Sequence, residues 1–186
     1  MKVQDSLISE CKILTPCVYN DNRGSFLESW NDMAYKNEGI SVEFVQDNII
    51  ESSKGTLRGV HTQLKYPQAK LVSCVKGSIF DVVVDCRFES PTFGVWFGTI
   101  LSQKDHKQLF IPEGVAHGFY TIDDAIIFMK VSTHYTPGDE IGFKWDDKSI
   151  DIDWPLDRES EPILAEKDKN WGNFDEMMNI LDKYRI

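Results

Sequence analysis

The sequence lacks the features that would assign it to a membrane or to the extracellular space. No apolar run reaches the roughly 18 residues that a membrane-spanning helix needs. Asp5 and Glu10 interrupt the N-terminal segment, which argues against a secretory signal. The four cysteines never form a C-x-x-C pair, so neither a zinc clip nor a disulfide framework is indicated. We therefore expect a cytoplasmic protein with reduced thiols.

Repeats, low-complexity tracts and linker-like stretches are also absent from the 186 residues. A chain of this length forms a single core in most proteins, so we predict one domain over residues 1–186. The net charge is −10 and the pI is about 4.8. Nucleic acid and anionic membrane surfaces are bound through basic patches, so neither is expected as a partner.

Negative charge is missing from one stretch of this acidic chain. Between Ser52 and Phe80 there is no Asp or Glu, whereas this stretch contains five basic residues: Lys54, Arg58, Lys65, Lys70 and Lys76. Such a segment could bind an anion, or it could be a solvated basic strand face. Charge alone leaves both interpretations open.

Short β-branched and aromatic runs dominate residues 40–145. Seven of them are separated by turn-forming segments, namely SVEFVQDNII, AKLVSCV, SIFDVVVDC, VWFGTILS, HKQLFIP, AIIFMKVST and EIGFKW. This spacing predicts an all-β sandwich or barrel. Helices are predicted only at the flanks: one ends near Gly39, and one places Phe174, Met177, Met178 and Leu181 along one face.

Histidine is scarce, with four copies. His106 and His134 are expected at the surface. His61 follows Arg58 in LRGVHTQ, and His117 lies in IPEGVAHGF. A single histidine in a strand is more often a hydrogen-bonded core residue than a catalyst, so the residues alone leave both roles open.

An ordered series of motifs covers most of the chain. It comprises RGSFLESW, FVQDN, GTLRGVH, PQAKLV, KGSIFDVVVDCR, SPTFGVW, QLFIPEGVAHGF, YTP, the Trp-Asp-Asp of KWDD, and PILAEKD. Together these resemble the dTDP-4-dehydrorhamnose 3,5-epimerase family, metal-free cupin enzymes that epimerise nucleotide-linked 4-keto sugars. The resemblance implies a cupin jelly-roll β-sandwich with short flanking helices, and a homodimer with a shared pocket.

The chemistry of that family requires a base at carbon and a cation at oxygen. A hydrogen next to a ketone is acidic only because the enolate places charge on oxygen. By resemblance, His61 is the base and Lys70 stabilises the enolate. Asp168, in LAEKD, is expected to pair with His61, fixing its tautomer and raising its basicity.

The resemblance also implies a substrate-binding set. Arg58 would bind the pyrophosphate, and His117 the sugar ring or the enolate oxygen. The nucleotide side would be formed by Arg23, Phe26, Glu28, Gln46, Asn48, Tyr135 and Glu140, some of them reaching into the neighbouring subunit's pocket. Asp81 and Asp85 would support the pocket from behind, although alternating aspartates also fit a solvent-facing stripe.

One position departs from the family pattern. Full 3,5-epimerases carry an acid tyrosine just before the lysine of the strand that leads to YTP, and here that position is Met129. A thioether has no proton to give. We therefore expect inversion of one carbon, with C3 favoured over C5, in the biosynthesis of an activated deoxysugar or heptose for surface polysaccharide.

Several alternatives remain open. They are a full 3,5-epimerase, a sugar 3,4-ketoisomerase and a non-catalytic sugar-binding cupin, and the nucleotide could be dTDP, GDP or CDP. Metal cupins have an H-x-H motif, whereas this chain has His61, Thr62 and Gln63, and a bound cation would repel Lys70. We therefore predict no metal and no cofactor.

Overall fold

The computed structural model describes residues 1–156 and 161–184. Within them the strands are β1 (Lys2–Asp5), β2 (Lys12–Thr15), β3 (Val18–Asp21), β4 (Gly24–Leu27), β5 (Gln46–Ser52), β6 (Leu57–Gln63), β7 (Lys70–Lys76), β8 (Ser78–Asp85), β9 (Trp96–Ser102), β10 (Gln108–Ile111), β11 (Val115–Thr121), β12 (Ala125–Val131) and β13 (Glu140–Gly142). The helices are α1 (Asp32–Asn37), α2 (Glu166–Lys169) and α3 (Phe174–Asp182).

Two antiparallel sheets form a β-sandwich. One sheet has the order β1-β2-β10-β7-β12-β5, the other β13-β6-β11-β8-β9, and β3 and β4 form a separate hairpin. Strand β12 alternates strictly, with Ile127, Met129 and Val131 buried between the sheets. Val83 and Phe119 meet them from the other sheet. The predicted sandwich is confirmed.

The outer faces of both sheets are covered by the predicted flanking helices. α1 begins at the N-cap Asn31 and is followed by Gly39 at φ +84°, a backbone conformation that favours glycine. α3 begins at an Asn173–Glu176 capping box and buries Phe174, Met177 and Met178 against the five-stranded sheet. Both helices are therefore confirmed, whereas the four-residue α2 was not predicted.

The prediction of seven strands was too low, because it omitted β6 and β11. Every residue of β11 is buried, and β6 has only Arg58 exposed. A strand that is buried on both faces loses the polar and apolar alternation by which strands are recognised. The four N-terminal strands, each of four residues, were also missed.

Strands β6 and β11 approach each other closely at Gly59. This glycine has φ +101°, and a Cβ there would lie 2.5 Å from the carbonyl oxygen of His117. The register of the two strands shifts between His117 and Phe119. As a result His61 lies directly opposite His117 in the ladder.

Candidate active site

A cavity of about 370 Å³ opens between the two sheets. Strands β5, β7 and β12 form one wall, and β6, β11 and β13 form the other. Nine of the predicted site residues line it: Gln46, Asn48, Arg58, His61, Lys70, His117, Met129, Tyr135 and Glu140. The sandwich thus brings together side chains that are far apart in the sequence.

His61 is partly buried in the wall formed by β6. Its Nδ1 lies 3.6 Å from Oε1 of Glu140, which belongs to the neighbouring strand β13. Burial lowers the pKa of His61 well below 6.5, and the positive charges of Lys70 and Lys167 lower it further. The imidazole is therefore neutral at pH 7 and can accept a proton.

Lys70 begins β7 in the opposite sheet and is 6% exposed. Burial lowers its pKa to about 8, while the negative charges of Glu140 and Asp81 act in the opposite direction. Its ammonium forms no hydrogen bond or ion pair with the residues that the structure describes. A charged donor therefore faces the cavity without a partner among residues 1–156 and 161–184.

A second buried pair connects the cavity wall to the residue behind it, because His117 lines the cavity and Asp81 does not. Nε2 of His117 lies 2.5 Å from Oδ1 of Asp81, and both side chains are at most 4% exposed. Asp81 and Asp85 are completely buried, so the interpretation as a solvent-facing stripe was wrong. The reason is that both point into the sandwich. Only Asp81 supports the pocket, since Asp85 binds Arg87, Ser90 and Thr92.

The expected pairing of His61 with Asp168 is not formed in this structure. Asp168 is 1% exposed and accepts hydrogen bonds from Nε1 of Trp171, at 3.2 Å, and from the backbone of Gly59. Burial raises its pKa above 3.8. Asp168 therefore anchors α2 to β6, and the carboxylate beside His61 is Glu140 instead.

Glu140 is the centre of a small polar network in the cavity. Lys167 of α2 donates to both of its carboxylate oxygens, at 2.9 and 2.7 Å. The Tyr135 hydroxyl donates a hydrogen bond to Oε2 of Glu140 at 3.4 Å. Lys167 also lines the cavity and was missed in the sequence. Its position beside Asp168 in the LAEKD motif was the available signal.

Four of the residues expected on the nucleotide side, Gln46, Asn48, Tyr135 and Glu140, line the cavity together with Arg58. Arg58 donates from Nε to Oγ of Ser52 at 3.0 Å. Gln46 donates to Asn48 at 2.8 Å and accepts from the backbone N–H of Tyr135 at 3.1 Å. These contacts fix the positions of several polar side chains that line the cavity.

Only part of the acid-free segment contributes to the cavity. Arg58 and Lys70 line it, whereas Lys54, Lys65 and Lys76 are exposed and are not among its lining residues. Both interpretations of the segment were therefore partly correct. Two of its basic residues face a possible anion site, and the other three are exposed.

Three predicted substrate-binding residues lie outside this cavity. Arg23 and Phe26 belong to the β3–β4 hairpin, and Glu28 follows it; all three are exposed. Arg23 pairs with Asp21 at 2.6 Å. Phe26 is 68% exposed, which is unusual for a phenylalanine. Within one chain these residues do not contact the site.

Met129 contributes an apolar part of the wall. It is 7% exposed and lies in β12, opposite Asn48 of β5 and Val72 of β7. Among the described residues that line the cavity, Tyr135 is the one that carries a hydroxyl. Tyr135 is 49% exposed and directs its hydroxyl to Glu140.

Within residues 1–156 and 161–184, no group of three His, Cys, Asp or Glu side chains could hold a metal ion. None of the helices in those ranges is long and apolar enough to span a membrane.

The fold is that of cupin-type sugar epimerases. The chain belongs to the dTDP-4-dehydrorhamnose 3,5-epimerase family, whose model matches residues 5–176. It is an epimerase, an enzyme of the isomerase class. The family comparison gives no support to the alternatives of a 3,4-ketoisomerase and a non-catalytic sugar-binding cupin.

Three relatives illustrate the range of the family. The dTDP-4-dehydrorhamnose 3,5-epimerase of Shigella flexneri is 47% identical over 94% of this chain and 96% of its own. A dTDP-6-deoxy-D-glucose-3,5-epimerase from Legionella pneumophila, solved with dTDP-4-keto-L-rhamnose, is 41% identical with a TM-score of 0.90, covering 94% and 93% of the two chains. A 3′-monoepimerase from Streptomyces bikiniensis, solved with dTDP-quinovose, is 28% identical with a TM-score of 0.83, covering 95% and 88%.

Proposed function

We propose that this enzyme epimerises a dTDP-linked 4-keto sugar through an enolate. One observation carries the proposal: a neutral histidine, His61, and a charged lysine, Lys70, face one cavity from opposite sheets. A neutral base and a fixed cation are the two groups that enolate formation needs. The substrate class is taken from the relatives, which are named as dTDP-sugar epimerases.

The proposed reaction balances in two proton transfers. His61 removes the proton from the carbon next to the C4 ketone, and the electron pair moves into an enolate whose oxygen is stabilised by Lys70 and His117. A solvent proton is then delivered to the opposite face of that carbon and the ketone re-forms, while His61 releases the proton that it took up to solvent. No redox cofactor is needed, because the substrate is neither oxidised nor reduced overall.

The remaining residues are assigned to binding and support. Arg58 binds the pyrophosphate, while Gln46, Asn48, Tyr135 and Glu140 form the nucleotide side. Asp168 supports the site by anchoring α2 to β6 beside Gly59. Met129 borders the sugar with an apolar surface. We assign no metal and no cofactor, and place the enzyme in the cytoplasm, where activated sugars for surface polysaccharides are made.

We also propose a homodimer whose hairpins complete the pockets. Arg23, Phe26 and Glu28 are exposed in one chain and do not line its own cavity, so a partner subunit is the route by which they would reach a nucleotide. The exposed aromatic Phe26 is suited to stack on a base. Light scattering of the wild type and of Phe26→Ala, each with dTDP titration, tests this assignment.

The scope of the reaction is proposed to be a single inversion, with C3 favoured over C5. Met129 offers no proton at the wall opposite His61, and the S. bikiniensis relative is named as a 3′-monoepimerase. The second candidate is inversion at both C3 and C5, which the names of the more similar relatives favour.

Isotope incorporation distinguishes these candidates. The enzyme is incubated with dTDP-4-keto-6-deoxyglucose in deuterated water, and the products are trapped by reduction and analysed by NMR. We expect deuterium and inversion predominantly at C3, and loss of exchange by about 10²- to 10⁴-fold in His61→Asn. Inversion at both carbons would establish the second candidate. Full exchange in His61→Asn would remove His61 from the mechanism.

A further inference from the structure

Lys167 is held beside the base rather than free at the cavity mouth. It donates two hydrogen bonds to Glu140, whose side chain is 16% exposed, and Glu140 in turn lies 3.6 Å from Nδ1 of His61. The neighbouring Asp168 anchors the same helix to Gly59, two residues before His61. Helix α2 is thus attached twice to the strands that surround the base.

We propose that Lys167 is a positioning residue for His61: it holds the Glu140 carboxylate on the Nδ1 side of the ring and neutralises that carboxylate's charge. This inference rests on the proposed function, because it assumes that His61 acts as a base. The consequence is that Nε2 carries the free lone pair and faces the substrate.

The geometry supports the choice of nitrogen. A carboxylate near Nδ1 favours the tautomer with a proton on Nδ1 and leaves Nε2 unprotonated. At 3.6 Å the contact is electrostatic rather than a normal hydrogen bond. The effect of Glu140 on the tautomer of His61 therefore depends on where the carboxylate lies and not on a hydrogen bond between the two side chains. Lys167 fixes that position by donating hydrogen bonds to both carboxylate oxygens.

The charges around His61 explain why neutralisation is needed. Lys70 faces it from β7, His117 from β11, Glu140 from β13 and Lys167 from α2. An unpaired Glu140 carboxylate at this distance would favour the imidazolium, which cannot accept a proton. Lys167 opposes that effect, and its charge is among the causes, after burial and Lys70, that lower the pKa of His61.

The test measures the titration of His61 directly. Histidine ring resonances of the full chain are followed by NMR from pH 4 to 9, and the His61 signal is assigned by its loss in His61→Asn. In Lys167→Met we expect the pKa of His61 to rise by about half a unit to one unit. Lys167→Arg restores the wild-type value. In Lys167→Met, the pH below which kcat/KM falls should also rise.

Lys169 provides the matched control. It lies on the same helix but pairs with Glu166, and it is not among the residues that line the cavity. Lys169→Met should leave the His61 titration unchanged. Glu140→Gln gives an independent check with the opposite sign, because removing the negative charge while keeping Lys167 should lower the pKa of His61.

The outcomes separate this inference from the proposed function. A wild-type His61 titration in Lys167→Met, with weaker dTDP binding only, would overturn the inference and assign Lys167 to the phosphates. A shifted titration in an enzyme that exchanges no substrate proton would retain the positioning effect and overturn the proposed function.

Discussion

Two carboxylates on one strand, Asp81 and Asp85, are equally buried and differently connected. Asp85 accepts hydrogen bonds from the Arg87 side chain at 2.9 and 2.8 Å, and from the hydroxyls of Ser90 and Thr92 at 2.6 and 2.7 Å. Asp81 has one partner, His117, and its second oxygen is buried without a hydrogen bond among the described residues.

The difference shows that burial alone does not assign a role to a charged residue. A buried carboxylate with all its acceptor sites occupied stabilises the fold. One with an unsatisfied oxygen beside a cavity is stabilised less, and its field acts on neighbours such as Lys70. We therefore expect the Asp85 region to determine stability and the Asp81 region to determine activity.

The largest effect is expected from Arg87→Met. Although burial alone would raise the pKa of Asp85, the hydrogen bonds from Arg87, Ser90 and Thr92 lower it to about 2. Removing Arg87 leaves this carboxylate partly unpaired and should cost about 3 kcal/mol of unfolding free energy. Urea denaturation measures the loss. Activity per folded molecule should stay near the wild-type value.

The Lys36→Met variant is the control for stability. Its pair with Asp32 lies on the surface, so the expected change in unfolding free energy is below about 0.5 kcal/mol.

The lowered pKa of Asp85 also predicts how the stability difference between wild type and Arg87→Met changes with pH. The contribution of Asp85 is present above pH 3.8 and is lost as pH falls toward 2, so wild type and Arg87→Met should converge in acid. A constant difference would contradict this account.

Asp81→Asn should give the opposite pattern. It weakens a charge-assisted hydrogen bond to His117, so kcat/KM should fall by roughly 10- to 100-fold, while stability changes by about 1 kcal/mol or less. Steady-state kinetics and urea denaturation on the same preparation give both values. A stability loss as large as that of Arg87→Met would remove the distinction between the two carboxylates.

The pH dependence of the reaction sharpens the distinction further. Lys70 must be protonated to stabilise the enolate, so kcat/KM should fall about tenfold per pH unit above pH 8. The charge of Asp81 raises the pKa of Lys70, and Asp81→Asn should therefore move this basic limb to lower pH. Arg87→Met should leave it in place. A limb that moves equally in both variants would show a general loss of structure.

No effect is expected from a chelator. The proposed electrophile is Lys70 rather than a cation, so incubation with EDTA followed by assay should leave kcat unchanged. Activity that is lost with EDTA and restored by one divalent metal would revive the metal-cupin interpretation and would require a role for His117 and Asp81 as ligands.

The sequence predicted the sandwich and the helices α1 and α3 because their patterns are local. Alternation along β12 and the apolar spacing of Phe174, Met177 and Met178 can be read from neighbouring residues. Strands β6 and β11 have no such pattern, since both their faces are buried. These are the strands that carry His61 and His117.

Most residues that line the cavity were predicted from the family resemblance. The hydrogen bonds and ion pairs between them were not. Which carboxylate lies beside His61 depends on the register of β13 against β6, which pairs Glu140 with Gln63, two residues from His61, and leaves its Oε1 3.6 Å from Nδ1 of His61. The Asp168 carboxylate already accepts hydrogen bonds from Trp171 and from the backbone of Gly59. Contacts of this kind depend on side-chain positions that a motif does not contain.

The cavity draws its walls from both sheets and from α2, and this has a thermodynamic consequence. A ligand that contacts Lys70 on one sheet and His61 on the other binds only when the two sheets are packed together in the folded protein. Binding is then linked to folding, and a ligand at 100 times its Kd stabilises the native state by about 2.7 kcal/mol. The melting temperature of the protein thus reports how well a nucleotide sugar fits between the sheets, without any turnover.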